Sequence, residues 1–292
     1  MWGEFNRTRI MSVAAGVTFY VLLSIFPTIA ALVSLYGFVA DRALIARHLD
    51  LFAGVLPVAA IELLGSEITR IAGQPEATLS GAFFFGLAIS VWSASTGIKG
   101  LFEAMNVVYG EDEKRSLLVI NILSLCCTIA LILFVLVALS ALVVLPIVLA
   151  YLGMSSGTET IISLLRWPIL AIVVLSGLSA LYRYGPSREN AQWKWVTPGS
   201  LLATVCWLAG SGAFSWYVVS FGRYNLTYGS LGAAVAFMTW IWLSMIIILL
   251  GGQLNAEMEH QTSHDTTVGP TKPLGSRHAH MADTLGQAIG KK

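Results

Sequence analysis

Residues 224–256 read YNLTYGSLGAAVAFMTWIWLSMIIILLGGQLNA and contain no Asp, Glu, Lys or Arg. An α-helix rises about 1.5 Å per residue, so about 20 apolar residues cross the roughly 30 Å hydrocarbon layer of a bilayer. This stretch exceeds that length. It predicts a membrane-spanning helix, which we place at about residues 230–252.

Charged residues are also absent from five further stretches: 10–40, 77–98, 116–158, 167–182 and 195–222. Only 11% of the residues are charged and 56% are hydrophobic, whereas roughly 25% are charged in a soluble domain. Because lipid lets apolar side chains face outward, this composition predicts an all-α, polytopic membrane protein with a bundle of about six transmembrane helices. The predicted spans are about 12–39, 78–98, 117–149, 160–182, 198–221 and 230–252. They form a membrane domain of residues 10–259, which follows a short cytoplasmic N-terminus of residues 1–9.

Lys and Arg are unevenly distributed between the two sides that these spans define. Twelve of the seventeen lie on the side that holds both termini, and five lie on the other side. Because cytoplasmic loops carry the excess of Lys and Arg, the bias predicts that both termini are cytoplasmic. Residues 260–292 are polar and contain Pro270 and Pro273, so we expect them to form a disordered cytoplasmic tail.

Helical spacing also recurs outside the predicted spans. In the first outer loop, residues 41–76, apolar residues fall on one helix face before and after Pro57: Ile45, Leu49, Phe52 and Leu56, then Ile61, Leu64, Ile68 and Ile71. The pattern predicts two short amphipathic helices, which either pack on the bundle as a cap or lie among lipid headgroups as a gate. A similar stripe indicates an extension of the second span or an interfacial helix: Ile98, Leu101, Phe102, Met105 and Val108.

The polar residues form no recognisable catalytic centre. The phosphate-binding patterns GxxxxGK[ST] and GxGxxG are absent, and the carboxylates do not pair convincingly. Residues 111–113 form an acidic run that is most simply a solvated turn, and His260 and His264 lie in the polar tail. We therefore predict that the protein is not an enzyme and has no catalytic residue, cofactor or metal site. A net charge of +1 favours no nucleic-acid partner.

Two clusters at membrane-interface depth are candidates for contact with a substrate. One contains Arg183 within LYRYGP, and the other is a compact turn on the outer side with Arg223, Tyr224, Asn225 and Tyr228. Arginine binds phosphate and carboxylate groups, and aromatic side chains suit the headgroup layer. Three residues of the first span are further candidates, since a proline kink can free carbonyls to line a cavity: Tyr20, Ser24 and Pro27. Helix packing explains the three residues of the first span more simply, and plain anchoring is the alternative for the cluster with Arg183. For the outer turn, a functional role and a structural role both stay open.

Several blocks of the sequence together resemble a known family. They are AAGVTFYVLLSIFP (14–27), WSASTGIKGLFEAMNVVYG (92–110), RWP (166–168), LYRYGP (181–186), WKWVTPGS (193–200) and YNLTYGSLGAAVAFMTWIWLSMIIILLGGQLNAE (224–257). Over residues 14–259 the chain resembles the YihY/BrkB family of bacterial inner-membrane proteins, formerly labelled ribonuclease BN-like. The resemblance implies a six-helix protein of the bacterial inner membrane with suggested transport or envelope roles.

Three functional hypotheses follow from these features. The first is a transporter or flippase-like protein for a lipidic or amphipathic anionic substrate, with membrane lipids as its partners. The second is a non-transporting membrane scaffold that binds envelope partners. The third, a membrane-bound ribonuclease that processes tRNA, is the least favoured because the residues supply no nuclease centre.

Overall fold

The computed structural model describes residues 8–36, 58–72, 81–133, 158–221 and 230–286. Within these ranges it contains helices and one isolated antiparallel bridge, between Ala191 and Thr267, which confirms the predicted all-α fold. The helices are α1, Ile10–Tyr36; α2, Val58–Ala72; α3, Gly81–Tyr109; α4, Leu117–Leu133; α5, Thr158–Tyr184; α6, Trp193–Phe221; α7, Ser230–His260; and α8, His280–Asp283.

Three stretches of helix in the described part of the chain are long and apolar enough to cross a membrane: Ile10–Ile29, Trp193–Val218 and Ala234–His260. Leu117–Leu133 and Pro168–Tyr184 are shorter apolar helices. The six predicted crossings therefore stay a prediction. Helix α3 continues unbroken to Tyr109, so the stripe that begins at Ile98 belongs to an extension of the second predicted span.

Large apolar side chains are exposed on all the long helices: Phe19 and Leu23 on α1, Phe85 and Trp92 on α3, Leu118 and Ile122 on α4, Ile169 and Ile172 on α5, Leu201 and Val205 on α6, and Val235 on α7. Water would strongly disfavour so much exposed apolar surface around the whole bundle, whereas lipid is an apolar solvent. The distribution fits a protein whose helices face hydrocarbon.

The main hydrophobic core lies at one end of the bundle. It takes in the first turns of α1 and α6, the last turns of α3, α5 and α7, and Met281 of α8. We call this the core end. Its largest fully buried side chains include Tyr109 and Tyr182, and the Tyr182 hydroxyl donates to the Ile248 carbonyl at 2.7 Å. The start of α1 and the end of α7 both lie at the core end. The chain therefore enters and leaves the helical bundle on the same side.

Helices α1 and α3 approach closely along a glycine face of α3. A Cβ atom added to Gly97 would lie 2.5 Å from the Ser24 hydroxyl oxygen, and one added to Gly100 would lie 3.1 Å from the Tyr20 ring. Small residues let helix backbones approach in a membrane, where packing replaces the hydrophobic effect. The glycines of α3 therefore position α1.

Helices α6 and α7 are joined by a polar contact next to Pro198, which lies inside α6. Proline lacks an N–H and disturbs the helical hydrogen bonds around it. The Asn255 side chain of α7 accepts a hydrogen bond from Gly199 N at 2.7 Å and donates one to the Val196 carbonyl at 3.0 Å. The amide of one helix thus satisfies backbone groups of the other. Helix α6 begins at Trp193, five residues before the start of the predicted span.

Helix α2 confirms the second amphipathic helix that was predicted after Pro57. Ile68 is buried, and Leu64 packs against a small cluster formed by Phe237 and Ile241 of α7. This packing on the bundle is what the cap hypothesis requires. The first amphipathic helix was predicted within residues 41–57, which lie outside the described residues.

Residues 261–286, which we call the tail segment, differ from the disordered tail that the sequence predicted. Arg277 is 3% exposed, Met281 enters the main core, and Thr266 and Thr267 are buried. The segment has too few apolar residues for a core of its own, but it packs on the core of the bundle and its polar groups bond to one another. Residues 287–292 lie outside the described residues.

The close contact between α6 and α7 gives a test of this packing. A Cβ atom at Gly199 would overlap the Gly251 carbonyl oxygen, whereas one at Gly212, also on α6, would meet no atom within 4 Å. We expect Gly199→Ala to destabilise the protein by roughly 1–3 kcal/mol, as overpacking does. Gly212→Ala should not lower stability. Thermal unfolding of both variants in the same detergent measures the difference, and equal melting temperatures would contradict the contact.

Candidate functional site

Arg183 lies at the core end, in the last turn of α5, against two aromatic rings. Its guanidinium carbon is 4.3 Å from the centre of the Trp193 ring and 5.3 Å from that of Tyr184. The two rings meet edge to face with their centres 6.2 Å apart. Both are about half exposed. The three side chains, which we call the arginine cluster, therefore present a cation on an aromatic platform at the bundle surface.

A short linker brings the members of the cluster together. Helix α5 ends at Tyr184, where Gly185 N bonds to the Leu181 carbonyl at 2.7 Å and Pro186 follows. Proline cannot continue a helix in the ordinary way, so the chain turns here. Helix α6 then begins at Trp193, after a linker of residues 185–192. The sequence therefore places Trp193 beside the end of the preceding helix.

Charge pairing separates Arg183 from most other cations of the described chain. Six of them pair with carboxylates: Arg70, Lys114, Arg115, Arg188, Lys272 and Arg277. Among the described residues no carboxylate pairs with Arg183, Lys99 or Lys194. Lys99 lies instead 5.1 Å from the Trp92 ring centre, and Lys194 lies 5.9 Å from that of Trp195.

The remaining predicted contact residues divide into two groups. Arg223, Tyr224, Asn225 and Tyr228 lie outside the described residues. Tyr20, Ser24 and Pro27 lie within α1, away from its ends, and do not belong to the arginine cluster. Tyr20 is 44% exposed, whereas Ser24 is buried and donates to the Val21 carbonyl at 2.8 Å. The described contacts of Ser24 are those of a packing residue.

A buried ion pair lies at the core end, and the sequence did not indicate it. Arg188 of the linker donates to both carboxylate oxygens of Glu259 at 2.7 and 2.8 Å, and neither side chain has exposed area. Burial would lower the pKa of the Arg188 guanidinium, but the Glu259 carboxylate raises it above its ordinary value. The partners are 71 residues apart, so no local pattern could have revealed the pair.

The acidic run at residues 111–113 is more than the solvated turn that was expected. The Glu111 side chain is 2% exposed and pairs with Lys114 at 2.7 Å. Glu113 accepts hydrogen bonds from Arg115 and from Asn106, and Asn106 also accepts one from Ser187 N at 2.7 Å. Asp112 and Glu113 are exposed, as predicted, whereas Glu111 is buried. The run therefore ties the end of α3 to the linker that follows α5.

The geometry of the arginine cluster suits an anionic group. The Arg183 Nε atom is buried and bonds to no described residue, and the other guanidinium nitrogens also make no hydrogen bond within the described chain. A guanidinium that stacks near an aromatic ring can still donate its unbonded N–H groups to a phosphate or carboxylate. In the described ranges, no three His, Cys, Asp or Glu side chains converge as a metal-binding group.

Comparison with known proteins places the chain in a family. A family model described as Virulence factor BrkB matches residues 1–274. The chain belongs to this family. The match confirms the YihY/BrkB resemblance seen in the sequence blocks. No solved structure matches the chain.

Two relatives of this BrkB-family protein align over most of their length. The putative ribonuclease-like protein YfkH of Bacillus subtilis (strain 168) is 31% identical over 268 residues, which are 88% of this chain and 92% of that protein. The UPF0761 membrane protein NTHI0384 of Haemophilus influenzae (strain 86-028NP) is 21% identical over 273 residues, 88% of this chain and 93% of that protein. The chain is therefore a membrane protein of the BrkB/UPF0761 type.

Removing one partner of the buried ion pair should strongly destabilise the protein. Arg188→Ala would leave Glu259 buried without its cation, which typically costs roughly 3–5 kcal/mol. Lys272→Ala is the control, because Lys272 pairs with Glu189 at 3.8 Å with both side chains partly exposed. Lys272→Ala should lower the free energy of unfolding by less than about 1 kcal/mol. Thermal unfolding in detergent compares the two, and similar melting temperatures would show that the buried pair does not stabilise the fold.

The Glu113 contacts predict a dependence of stability on pH. Partial burial would raise the pKa of Glu113, but hydrogen bonds from Arg115, Asn106 and Ser187 lower it to about 2, against an ordinary value of 4.5. A depressed carboxyl pKa stabilises the fold above the unfolded-state pKa and loses that effect as pH falls toward the folded-state value. The melting temperature of the wild type should exceed that of Glu113→Gln at pH 7, and the gap should shrink between pH 4.5 and 2. A gap that stayed constant over this range would refute the assignment.

Proposed function

We propose that this BrkB-family protein is a multi-pass protein of the bacterial inner membrane that moves a lipidic or amphipathic anionic molecule across it. In this proposal the chain crosses the membrane six times, and the core end faces the cytoplasm with both termini. The excess of Lys and Arg on that side supports the orientation. The apolar surface around the bundle supports contact with lipid along the full height of the helices.

One observation carries the proposal of an anionic substrate: among the described residues, Arg183 pairs with no carboxylate and lies on the Trp193 ring. A charged side chain at the edge of a membrane is costly unless something compensates it. Aromatic rings compensate only partly, and an anionic headgroup would supply the missing hydrogen bonds. We assign Arg183 to headgroup contact on the cytoplasmic side.

The other half of the proposed path rests on the sequence. We assign Arg223, Tyr224, Asn225 and Tyr228 to headgroup contact on the outer side, because arginine and aromatic residues gather there at interface depth. Tyr20 remains a candidate contact between the two sides because its ring is partly exposed. We assign Ser24 and Pro27 to the packing and kinking of α1.

We further propose that the protein is not an enzyme. Glu111, Glu113 and Glu259 accept hydrogen bonds or ion pairs from neighbouring side chains, as structural carboxylates do. A ribonuclease would need such groups to be available to water and substrate. The ribonuclease-like wording in the name of the Bacillus subtilis relative is therefore not a basis for assigning RNA cleavage to this chain.

A non-transporting scaffold for envelope partners is the second candidate, and the surface of α2 favours it. Helix α2 packs Leu64 and Ile68 toward the bundle and leaves Thr69 and Arg70 exposed. A packed amphipathic helix with a polar outer face is suited to binding a partner protein. Crosslinking in intact cells followed by purification tests this candidate. The scaffold hypothesis requires that a stable partner protein is captured and that Arg70→Ala reduces the amount captured.

Removal of Arg183 should weaken the retention and movement of an anionic lipid. Native mass spectrometry of the purified protein would compare phosphatidylglycerol with zwitterionic phosphatidylethanolamine, and proteoliposomes would report movement of labelled phosphatidylglycerol. We expect Arg183→Ala to reduce both by about tenfold, since a hydrogen-bonded charge pair contributes roughly 1.5–3 kcal/mol.

Arg70→Ala is the control for a lost positive charge, because Arg70 is exposed and pairs with Glu67 on the same helix. It should leave both measurements unchanged. Equal retention of the two lipids by the wild type, or unchanged movement in Arg183→Ala, would refute the assignment and favour the scaffold.

A further inference from the structure

The tail segment is organised by bonds among its own residues. The Arg277 guanidinium donates to four carbonyl oxygens of the segment: Ser263 at 2.8 Å, His264 at 3.1 Å, Lys272 at 3.1 Å and Ala282 at 2.8 Å. A buried guanidinium that bonds several turns of one chain segment fixes their relative positions. The segment therefore has an internal framework made of its own groups.

Two carboxylates complete this framework. Asp265 accepts hydrogen bonds from Thr267 N at 2.9 Å and Lys272 N at 2.7 Å. Asp283 accepts them from Gly275 N and Arg277 N, both at 2.8 Å. Burial would raise the pKa of each carboxyl, but these N–H groups lower both values. Both groups thus stay ionised and hold the turns of the segment at neutral pH.

A separate set of bonds attaches the segment to the bundle. Glu189 N donates to the His278 carbonyl at 3.2 Å, Gln192 N to the Thr266 carbonyl at 2.9 Å, and Val268 N to the Asn190 carbonyl at 2.9 Å. His280 N donates to Glu111 at 2.6 Å. Met281 supplies an apolar contact by entering the main core. We call the four hydrogen bonds, those donated by Glu189 N, Gln192 N, Val268 N and His280 N, the docking bonds.

Three of the four docking bonds fall on residues 185–192, the linker between α5 and α6. This linker joins Arg183 and Tyr184 at its start to Trp193 at its end, so its conformation sets the spacing within the arginine cluster. The buried Arg188–Glu259 pair fixes the middle of the same linker. Thr266 also donates to Glu259 at 3.2 Å, which connects the tail segment to that pair.

We propose that the tail segment is a preassembled latch that docks on the α5–α6 linker and holds Arg183 and Trp193 together, so that its release loosens the arginine cluster. The identity of the cluster as an anion site rests on the proposed function, whereas the docking does not. Since the internal framework and the docking bonds use different groups, the latch separates from the bundle as a unit without unfolding.

The backbone at His280 allows one docking bond to be removed selectively. Ala279 has an extended conformation (φ −144°, ψ 112°), which is the region that a residue before proline adopts, and His280 is the first residue of α8. His280→Pro therefore fits the backbone and deletes the N–H that bonds to Glu111. His280→Ala loses the same imidazole but keeps the N–H, which makes it the matched control.

Hydrogen exchange of the full-length protein in detergent distinguishes the two sets of amides. The docking amides are those of Glu189, Gln192 and Val268, and the internal amides are those of Lys272, Gly275 and Arg277. We expect His280→Pro to exchange about tenfold faster than His280→Ala at the docking amides, since a hydrogen bond to a buried carboxylate is lost. The internal amides should exchange at equal rates in the two variants.

Two outcomes would overturn the proposal. Faster exchange of both sets together would mean that the segment unfolds and is not a preassembled latch. Equal exchange of the docking amides in the two variants would mean that the segment is a fixed part of the core. Phosphatidylglycerol retention by the wild type tests the proposed function separately: its absence would refute the anion site, and the exchange rates would still decide whether the latch exists.

Discussion

The contact between α6 and α7 is the constraint on which the core end depends. In an apolar solvent every backbone polar group must be satisfied within the protein, and Pro198 disturbs the hydrogen bonds of α6 near its start. Beside this proline, Asn255 bonds Gly199 N and the Val196 carbonyl. It can do so only because Gly199 and Gly251 have no side chains to separate the helices. The hydrogen bonds of Asn255 therefore depend on the close approach of α6 and α7.

The contact between α6 and α7 also places the charged groups of the core end. Helix α7 continues past Asn255 by one turn and presents Glu259, which pairs with Arg188 in the linker after α5. The same linker bonds through Ser187 to Asn106 at the end of α3. Long-range pairs thus connect the ends of three helices at the core end. Such buried pairs specify one arrangement because any shift leaves a charge without its partner.

This arrangement separates two kinds of cation. Those at the centre of the core end, such as Arg188, are compensated by carboxylates and stabilise the fold. Arg183, only a few residues away, lies on aromatic rings at the surface of the bundle and pairs with no carboxylate of the described chain. The proposed function relies on this difference in position and partner. The tail segment lies close to both Arg183 and Arg188, because it bonds to the linker that follows Arg183 and contains Arg188.

The sequence by itself determined the all-α fold class, the places of the long helices and the amphipathic helix before the second predicted span, and its short motifs indicated the family. These properties depend on local periodicity and on short motifs, which a sequence displays directly. It also singled out Arg183 as a candidate, because an arginine and aromatic residues gather next to the turn that follows α5. Only the tertiary structure decided that Glu111 and Glu259 are buried and that the tail segment is packed, since a polar composition predicts exposure unless distant partners satisfy it. Arg188 and Glu259 are 71 residues apart, and a pair of that kind exists only once the helices have brought its members together.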